Sequence, residues 1–221
     1  MSPGDPLLRW DWFPGHLDEI AFRLAQHVAF TVVAVAVGFG IAFVLALLAI
    51  RWRALYGPIT AVAGVLYAIP SVALFFLFIG ITGLSFLTAE IALVGYTLLI
   101  LVRNIVAGVD GVAAEVREAA EGMGYGRWRR LWRVELPIAL PVIIAGLRVA
   151  TVSTIGLVAV TALLGRDQGG LGVFIVEGRE RFFATPLVVG AVLSVALAIA
   201  ADGLFVFAQR LVTPWARGQG S

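Results

Sequence analysis

The sequence predicts an all-α, polytopic membrane protein: a bundle of about five transmembrane helices with one long cytosolic loop, N-terminus out and C-terminus in. Three observations carry this. Of 221 residues, 61% are hydrophobic and 14% charged, with a mean hydropathy of +0.99, against roughly 45–50% apolar and about 25% charged in a soluble domain. The apolar residues gather into runs near the ~20 residues that a helix needs to cross a bilayer. Arginine is shared unequally between the segments that separate those runs.

The runs are 27–50, 58–83, 86–106, 138–164 and 185–208. Residues 1–26 form an extracytoplasmic segment, 107–136 the cytosolic loop and 209–221 a cytosolic tail. The second run contains Pro70, which is expected to kink it by freeing a carbonyl that Ser71 or a neighbouring helix can satisfy. A further apolar stretch, 171–176, is too short to span and reads as an interfacial or re-entrant element. No cleavable signal peptide is expected, because residues 1–20 are polar and carry Pro3, Pro6 and Pro14.

Orientation follows from the arginines. With the N-terminus outside, Arg51, Arg53, Arg103, Arg117, Arg127, Arg129, Arg130, Arg133, Arg210 and Arg217 fall inside. The outside set is smaller: Arg9, Arg23, Arg166, Arg179 and Arg181, offset by acids such as Asp5, Asp18, Glu19 and Asp167. Trp10, Trp12, Trp52, Trp128, Trp132 and Trp215 all lie outside the runs, at the headgroup level that indoles prefer. Glycines within and beside the runs suit close helix packing.

Several chemistries are excluded. There is no cysteine, hence no disulfide, thiolate metal site or thiol nucleophile. His16 and His27 stand alone and make no metal centre. No GxxxxGK[ST] loop is present, so the chain has no nucleotide site and is not expected to be an enzyme.

The cytosolic loop reads AGVDGVAAEVREAAEGMGYGRWRRLWRVEL. Residues 112–121 are rich in Ala and Glu and predict a helix. Gly122, Gly124 and Gly126 break it and permit a sharp turn. Residues 127–134 predict a basic, aromatic helix with Trp128, Leu131 and Trp132 on one apolar face, ended by Pro137. Such a helix–turn–helix suits docking into a groove of a soluble partner. It equally suits a helix lying on anionic lipid.

The loop then becomes specific. Glu118-Ala119-Ala120, three residues, Gly124, nine residues, Val134, one residue and Leu136-Pro137 resemble the EAA signature of ABC-importer permeases, which has Ile where Val134 stands. Residues 67–74 (YAIPSVAL), 136–148 (LPIALPVIIAGLR) and 169–172 (GGLG) resemble segments of the osmoprotectant branch, which carries glycine betaine, carnitine, choline or proline betaine. The resemblance covers roughly residues 25–215. It implies the type I importer bundle, with the loop as a coupling helix seated on a cytosolic ABC ATPase dimer.

Under that resemblance the coupling residues are Glu118, Ala119, Ala120, Gly124, Arg127, Leu136 and Pro137. ATP and magnesium belong to the ATPase, and this chain binds no cofactor. The other implied partners are an extracytoplasmic solute-binding protein, expected as a separate polypeptide, and a second permease subunit, either a copy or a paralogue. Membrane lipid surrounds the assembly, no nucleic acid is involved, and the location is a bacterial or archaeal plasma membrane. The loop cannot select cargo, so another small polar solute such as methionine stays open, as does a channel or scaffold.

Within the spans, Tyr67, Pro70 and Ser71, and a polar patch of Thr151, Ser153 and Thr154 in the fourth, are candidates for the translocation path, or simply satisfy backbone. Arg148 and Asp202 are the deepest charges and are expected at similar depth, so an ion pair is plausible. A clasp between the fourth and fifth spans is the plainer role for it; substrate contact is the alternative. The charged outside segment 165–184 is either a dock for the binding protein or a solvated loop.

Overall fold

The computed structural model describes residues 8–213; residues 1–7 and 214–221, which include Asp5, Trp215 and Arg217, lie outside the described residues. Among the described residues the chain is helical, with no strand. The long helices are α1 (Leu17–Arg51), α4 (Phe86–Asp110), α7 (Leu136–Val160) and α9 (Ala184–Val212). Between them come α2 (Tyr56–Ala68), α3 (Ser71–Thr82), α5 (Ala114–Gly122), the single turn α6 (Arg127–Arg130) and α8 (Gly172–Glu180).

Helix α4 is the centre of the bundle, packed on one side by α1 and on the other by α7. It starts at a well-formed cap: Ser85 is extended, and its hydroxyl accepts the Thr88 N–H at 3.2 Å. Phe30 meets Phe86, and Arg53 pairs with Asp110, so α1 and α4 run parallel. Gly146 lies against Asn104 and Gly108 against Ala139, so α7 runs antiparallel to α4. A Cβ on Gly146 would sit 2.5 Å from that of Asn104, a crossing that only glycine permits. Helix α9 packs on α7 and α8 and leaves most of its surface exposed, with Val192, Val195, Ile199, Leu204 and Phe207 facing outward.

Four helical segments are long and apolar enough to cross a membrane: Leu17–Arg51, Phe86–Asp110, Arg127–Leu164 and Ala184–Val212. The fifth candidate span is broken. Arg53–Ala68 and Ser71–Thr82 meet at 99°, with Ile69 and Pro70 extended between them. Two parallel helices joined through this pair require it to carry the chain back across, which makes it one interrupted crossing.

The element boundaries differ from the hydropathy reading in instructive ways. Helix α1 begins at Leu17, because backbone helicity continues past the apolar run through Asp18, Glu19 and Arg23. The expected kink at Pro70 is a complete break. Pro137 ends nothing: it follows directly on the π turn at Leu131–Glu135, where the α-helical hydrogen-bond ladder is already interrupted, and the helix continues through it. Arg127 to Leu164 is one continuous helical segment, with a π turn at Leu131–Glu135 and a 3-10 turn at Thr161–Leu164. The stretch 171–176 lies within Leu171 and the short helix α8, whose start is buried against α9.

Candidate functional site

The loop after α4 lies at the end of the bundle where α1 and α4 finish and α7 starts. Its first helix, α5, ends in a Schellman motif. The Tyr125 N–H donates to the Ala120 carbonyl at 3.0 Å and the Gly124 N–H to that of Glu121 at 2.9 Å. Gly124 has φ +79°, the left-handed conformation this closure needs. Glu118, Ala119, Gly124 and Met123 are exposed, whereas Ala120 is buried.

Arginines tie the loop to the bundle. Arg127 donates to the carbonyls of Ile50 and Arg51 at 3.1 and 3.2 Å, capping the C-terminus of α1. Arg117 donates to the Val109 carbonyl at 2.6 Å at the end of α4. Cations belong at helix C-termini, where carbonyls lack helical partners and the dipole is negative. Glu135 joins the pieces: it is 5% exposed and accepts from Arg130 Nε at 2.7 Å, with Arg117 Nε 3.5 Å away. Arg130 also pairs with Glu121 of α5. The π turn explains how Arg130 and Glu135, five apart in sequence, meet: its i→i+5 repeat brings them onto one face. Arg117, Arg127, Arg130 and Glu135 line a half-open cavity of about 160 Å³, together with apolar residues such as Leu47, Val109 and Leu131.

The expected apolar face of the basic helix is divided. Leu131 is buried, while Trp128 and Trp132 stay about half exposed, Trp132 against Phe43. Leu136 is buried and Pro137 half-buried.

A second cavity, of about 520 Å³, opens at the break between α2 and α3. Tyr67, Pro70, Ser71, Ser153 and Thr154 of the path candidates read from the sequence line it, together with Tyr96. Tyr96 gives no signal in the sequence. Its hydroxyl donates to the Ile69 carbonyl, the backbone group exposed by the break, and its ring meets Tyr67 with centroids 5.9 Å apart. Thr151 is not in this cavity; it faces an apolar groove among α1, α7 and α9. Its buried hydroxyl has no hydrogen-bond partner among the described residues.

Arg148 and Asp202 meet in a bidentate pair, Nε to Oδ1 at 2.8 Å and Nη2 to Oδ2 at 2.9 Å, joining α7 to α9. Neither lines the tyrosine cavity. On the opposite face of the bundle, the 165–184 segment is clamped to α1: Arg23 donates to the Arg166 carbonyl and Gln26 to that of Asp167, both at 2.6 Å. His27, fully buried, accepts the Leu171 N–H on Nδ1 at 3.2 Å and so donates from Nε2 to the Ile155 carbonyl at 2.9 Å. Among the described residues no cluster of metal-ligating side chains forms.

The chain is 37% identical over 205 residues to the osmoprotectant import permease protein OsmW of Salmonella typhimurium, covering 90% of this chain and 93% of that one. It is 30% identical to the glycine betaine/carnitine/choline transport system permease protein OpuCB of Bacillus subtilis over 196 residues, 89% of each. It is 31% identical to the choline transport system permease protein OpuBB of the same species, again covering 89% of each. Its fold is shared with a chain of the MetNI methionine ABC transporter in an inward-facing form, with TM-score 0.77 at 21% identity over 88% of this chain and 96% of that one. Residues 34–214 match the model of one family, and the chain belongs to it: the binding-protein-dependent transport system inner membrane components.

Proposed function

We propose that this chain is the membrane permease subunit of an ATP-driven bacterial importer for a quaternary ammonium osmoprotectant such as glycine betaine, choline or carnitine. ATP, with magnesium, is bound and hydrolysed by a separate ATPase dimer on the cytosolic side. An extracytoplasmic binding protein delivers the solute, and a second permease subunit completes the path. The carrying observation is the loop of α5 and α6. It presents Glu118, Ala119 and Gly124 outward while its arginines grip the ends of α1 and α4. The relatives named above support the cargo.

The geometry suggests how force passes. A push on α5 reaches α4 through Arg117, α1 through Arg127 and α7 through the helix that runs on from α6. Glu135 holds Arg117 and Arg130 to the same carboxylate, so the loop moves as one body with the three central helices. The helix break at Ile69–Pro70 lies on this core, because Tyr96 of α4 holds it. Motion of α4 therefore reaches the cavity at the break.

The test is purification of the chain from its native membrane in mild detergent, followed by reconstitution and uptake of labelled glycine betaine and choline. An ABC ATPase in the preparation and ATP-dependent uptake are expected. Reproducible recovery without any ATPase overturns the importer; ATP-dependent uptake of a different solute alone overturns the cargo.

A further inference from the structure

We propose that this chain itself carries a low-affinity site for trimethylammonium groups, built by Tyr67 and Tyr96 where α2 and α3 part. The solute class rests on the function proposed above; the site rests on the geometry of the cavity. Tyr96 is 6% exposed and fixed by its bond to the Ile69 carbonyl, so its ring has one orientation. Tyr67 keeps 45% of its surface open and stands at 67° to Tyr96. Two aromatic rings thus meet at a corner of a cavity of about 520 Å³, within the size range of small-molecule sites.

The chemistry of the lining selects the ligand. None of the lining residues is ionisable at neutral pH. A primary ammonium must replace the strong hydrogen bonds it makes to water, and this wall has little to replace them with. The cavity offers it no carboxylate, only neutral oxygens: the Ile69 carbonyl, which already accepts from Tyr96, and hydroxyls such as that of Thr154, which donates to Ala150 at 2.8 Å. A trimethylammonium group has no N–H to satisfy. Its charge is spread over methyl groups that suit ring faces and the apolar surface of Ile69 and Pro70. Ser71 and Ser153 make no hydrogen bond among the described residues, which leaves two hydroxyls for the carboxylate or hydroxyl at the other end of such a solute. The lack of a fixed counter-charge also keeps binding weak enough for release, as a transport route requires.

The chain has no cysteine, so a single introduced thiol reports on this site without background from the permease. The experiment uses the complete transporter, with its ATPase and binding protein, in proteoliposomes. In Ser153→Cys, the rate of N-ethylmaleimide labelling at position 153 is measured with choline and with ethanolamine. Choline is expected to slow labelling about threefold or more and ethanolamine to leave it unchanged, as recognition through ring faces demands. Adding Tyr67→Leu should abolish the protection and Tyr67→Phe should keep it. In import assays Tyr67→Leu should lower trimethylammonium uptake per ATP about tenfold, between the scales of an exposed and a desolvated cation–π contact, because Tyr67 is partly open, with Tyr67→Phe keeping most of the uptake.

Equal protection by both amines, or by neither, overturns the site. If choline protects position 153 while the unaltered complex imports only solutes without a trimethylammonium group, the cargo reading falls and the site stands. If the complex imports glycine betaine, choline gives no protection and Tyr67→Leu imports normally per ATP, the site falls and the cargo stands.

Discussion

Replacing Gly124 can separate what the loop costs this chain from what it offers a partner. At φ +79°, any side chain other than hydrogen incurs the left-handed penalty, about 1–2 kcal/mol for alanine and less for Asn or Asp. A Cβ at this position meets nothing within 4 Å, so no steric cost inside the chain is added. The Schellman bonds from Gly124 and Tyr125 are each worth about 0.5–1.5 kcal/mol net, which limits the damage if the turn opens. Gly124→Asn and Gly124→Asp therefore share nearly the same internal cost and differ by one charge outside the chain. All variants are expected to insert and to accumulate normally. In reconstituted transporters Gly124→Asn should lose little, Gly124→Ala a few-fold and Gly124→Asp nearly all coupled uptake, with ATP hydrolysis measured alongside. Normal coupled uptake by Gly124→Asp would refute the idea that this turn seats against the ATPase; equal loss in Asn and Asp would assign the effect to bulk and not to charge.

Three other perturbations test the remaining contacts. Glu135→Gln removes the charge shared by Arg117 and Arg130. With Arg117 30% exposed and free to find water, the local loss is about 1–3 kcal/mol at most, read as faster hydrogen exchange across 113–126; unchanged exchange would remove Glu135 as the hub. Asp202→Ala should lower the yield of assembled complex, and exchanging the charges of Arg148 and Asp202 together should restore it; full assembly and transport by Asp202→Ala sinks the clasp. Tyr96→Phe leaves the Ile69 carbonyl without its donor, at about 1–3 kcal/mol, so the purified complex should melt at a lower temperature. An unchanged Tm there means the carbonyl has another partner.

Much of the architecture was legible because a bilayer imposes its thickness on the sequence. The runs at 86–106 and 185–208 correspond closely to α4 and α9, since the helix and the apolar stretch are limited by the same boundary. They separate at the N-terminus. Hydropathy stops near His27, but α1 extends outward to Leu17 because Arg23 is anchored to the Arg166 carbonyl and His27 to the Leu171 amide. Those partners lie more than a hundred residues away in sequence. No local pattern contains them.

The same limit explains the site. Proline at 70 announces one freed carbonyl, that of Leu66, whose helical donor would have been the N–H of residue 70. The carbonyl that Tyr96 satisfies at the 99° break is a different one, that of Ile69, and nothing near Pro70 in the sequence points to it. Thr151 and Thr154, three apart on α7, looked equivalent in a polar patch. Positions three apart share a broad helix face, yet here that face is split between two neighbours, so Thr151 lines the groove beside α9 and Thr154 the tyrosine cavity. Glu135 was hidden for a further reason: α-helical spacing sets residues 130 and 135 on different faces, and only the π turn aligns them.

The coupling motif itself mixes two kinds of residue that spacing alone cannot tell apart. Ala120 and Leu136 are buried, Pro137 is half-buried in the first turn of α7, and Arg127 grips α1, so these hold the loop in place. Glu118, Ala119 and Gly124 are exposed, which leaves them open to contact with another protein. A bulky substitution at Ala120 would therefore disable coupling by lifting α5 off the bundle, whereas one at Ala119 can act only through what docks there. Loss of transport at both positions with loss of ATPase binding only at Ala119 would separate a gripping residue from a contacting one, a distinction that the motif by itself does not make.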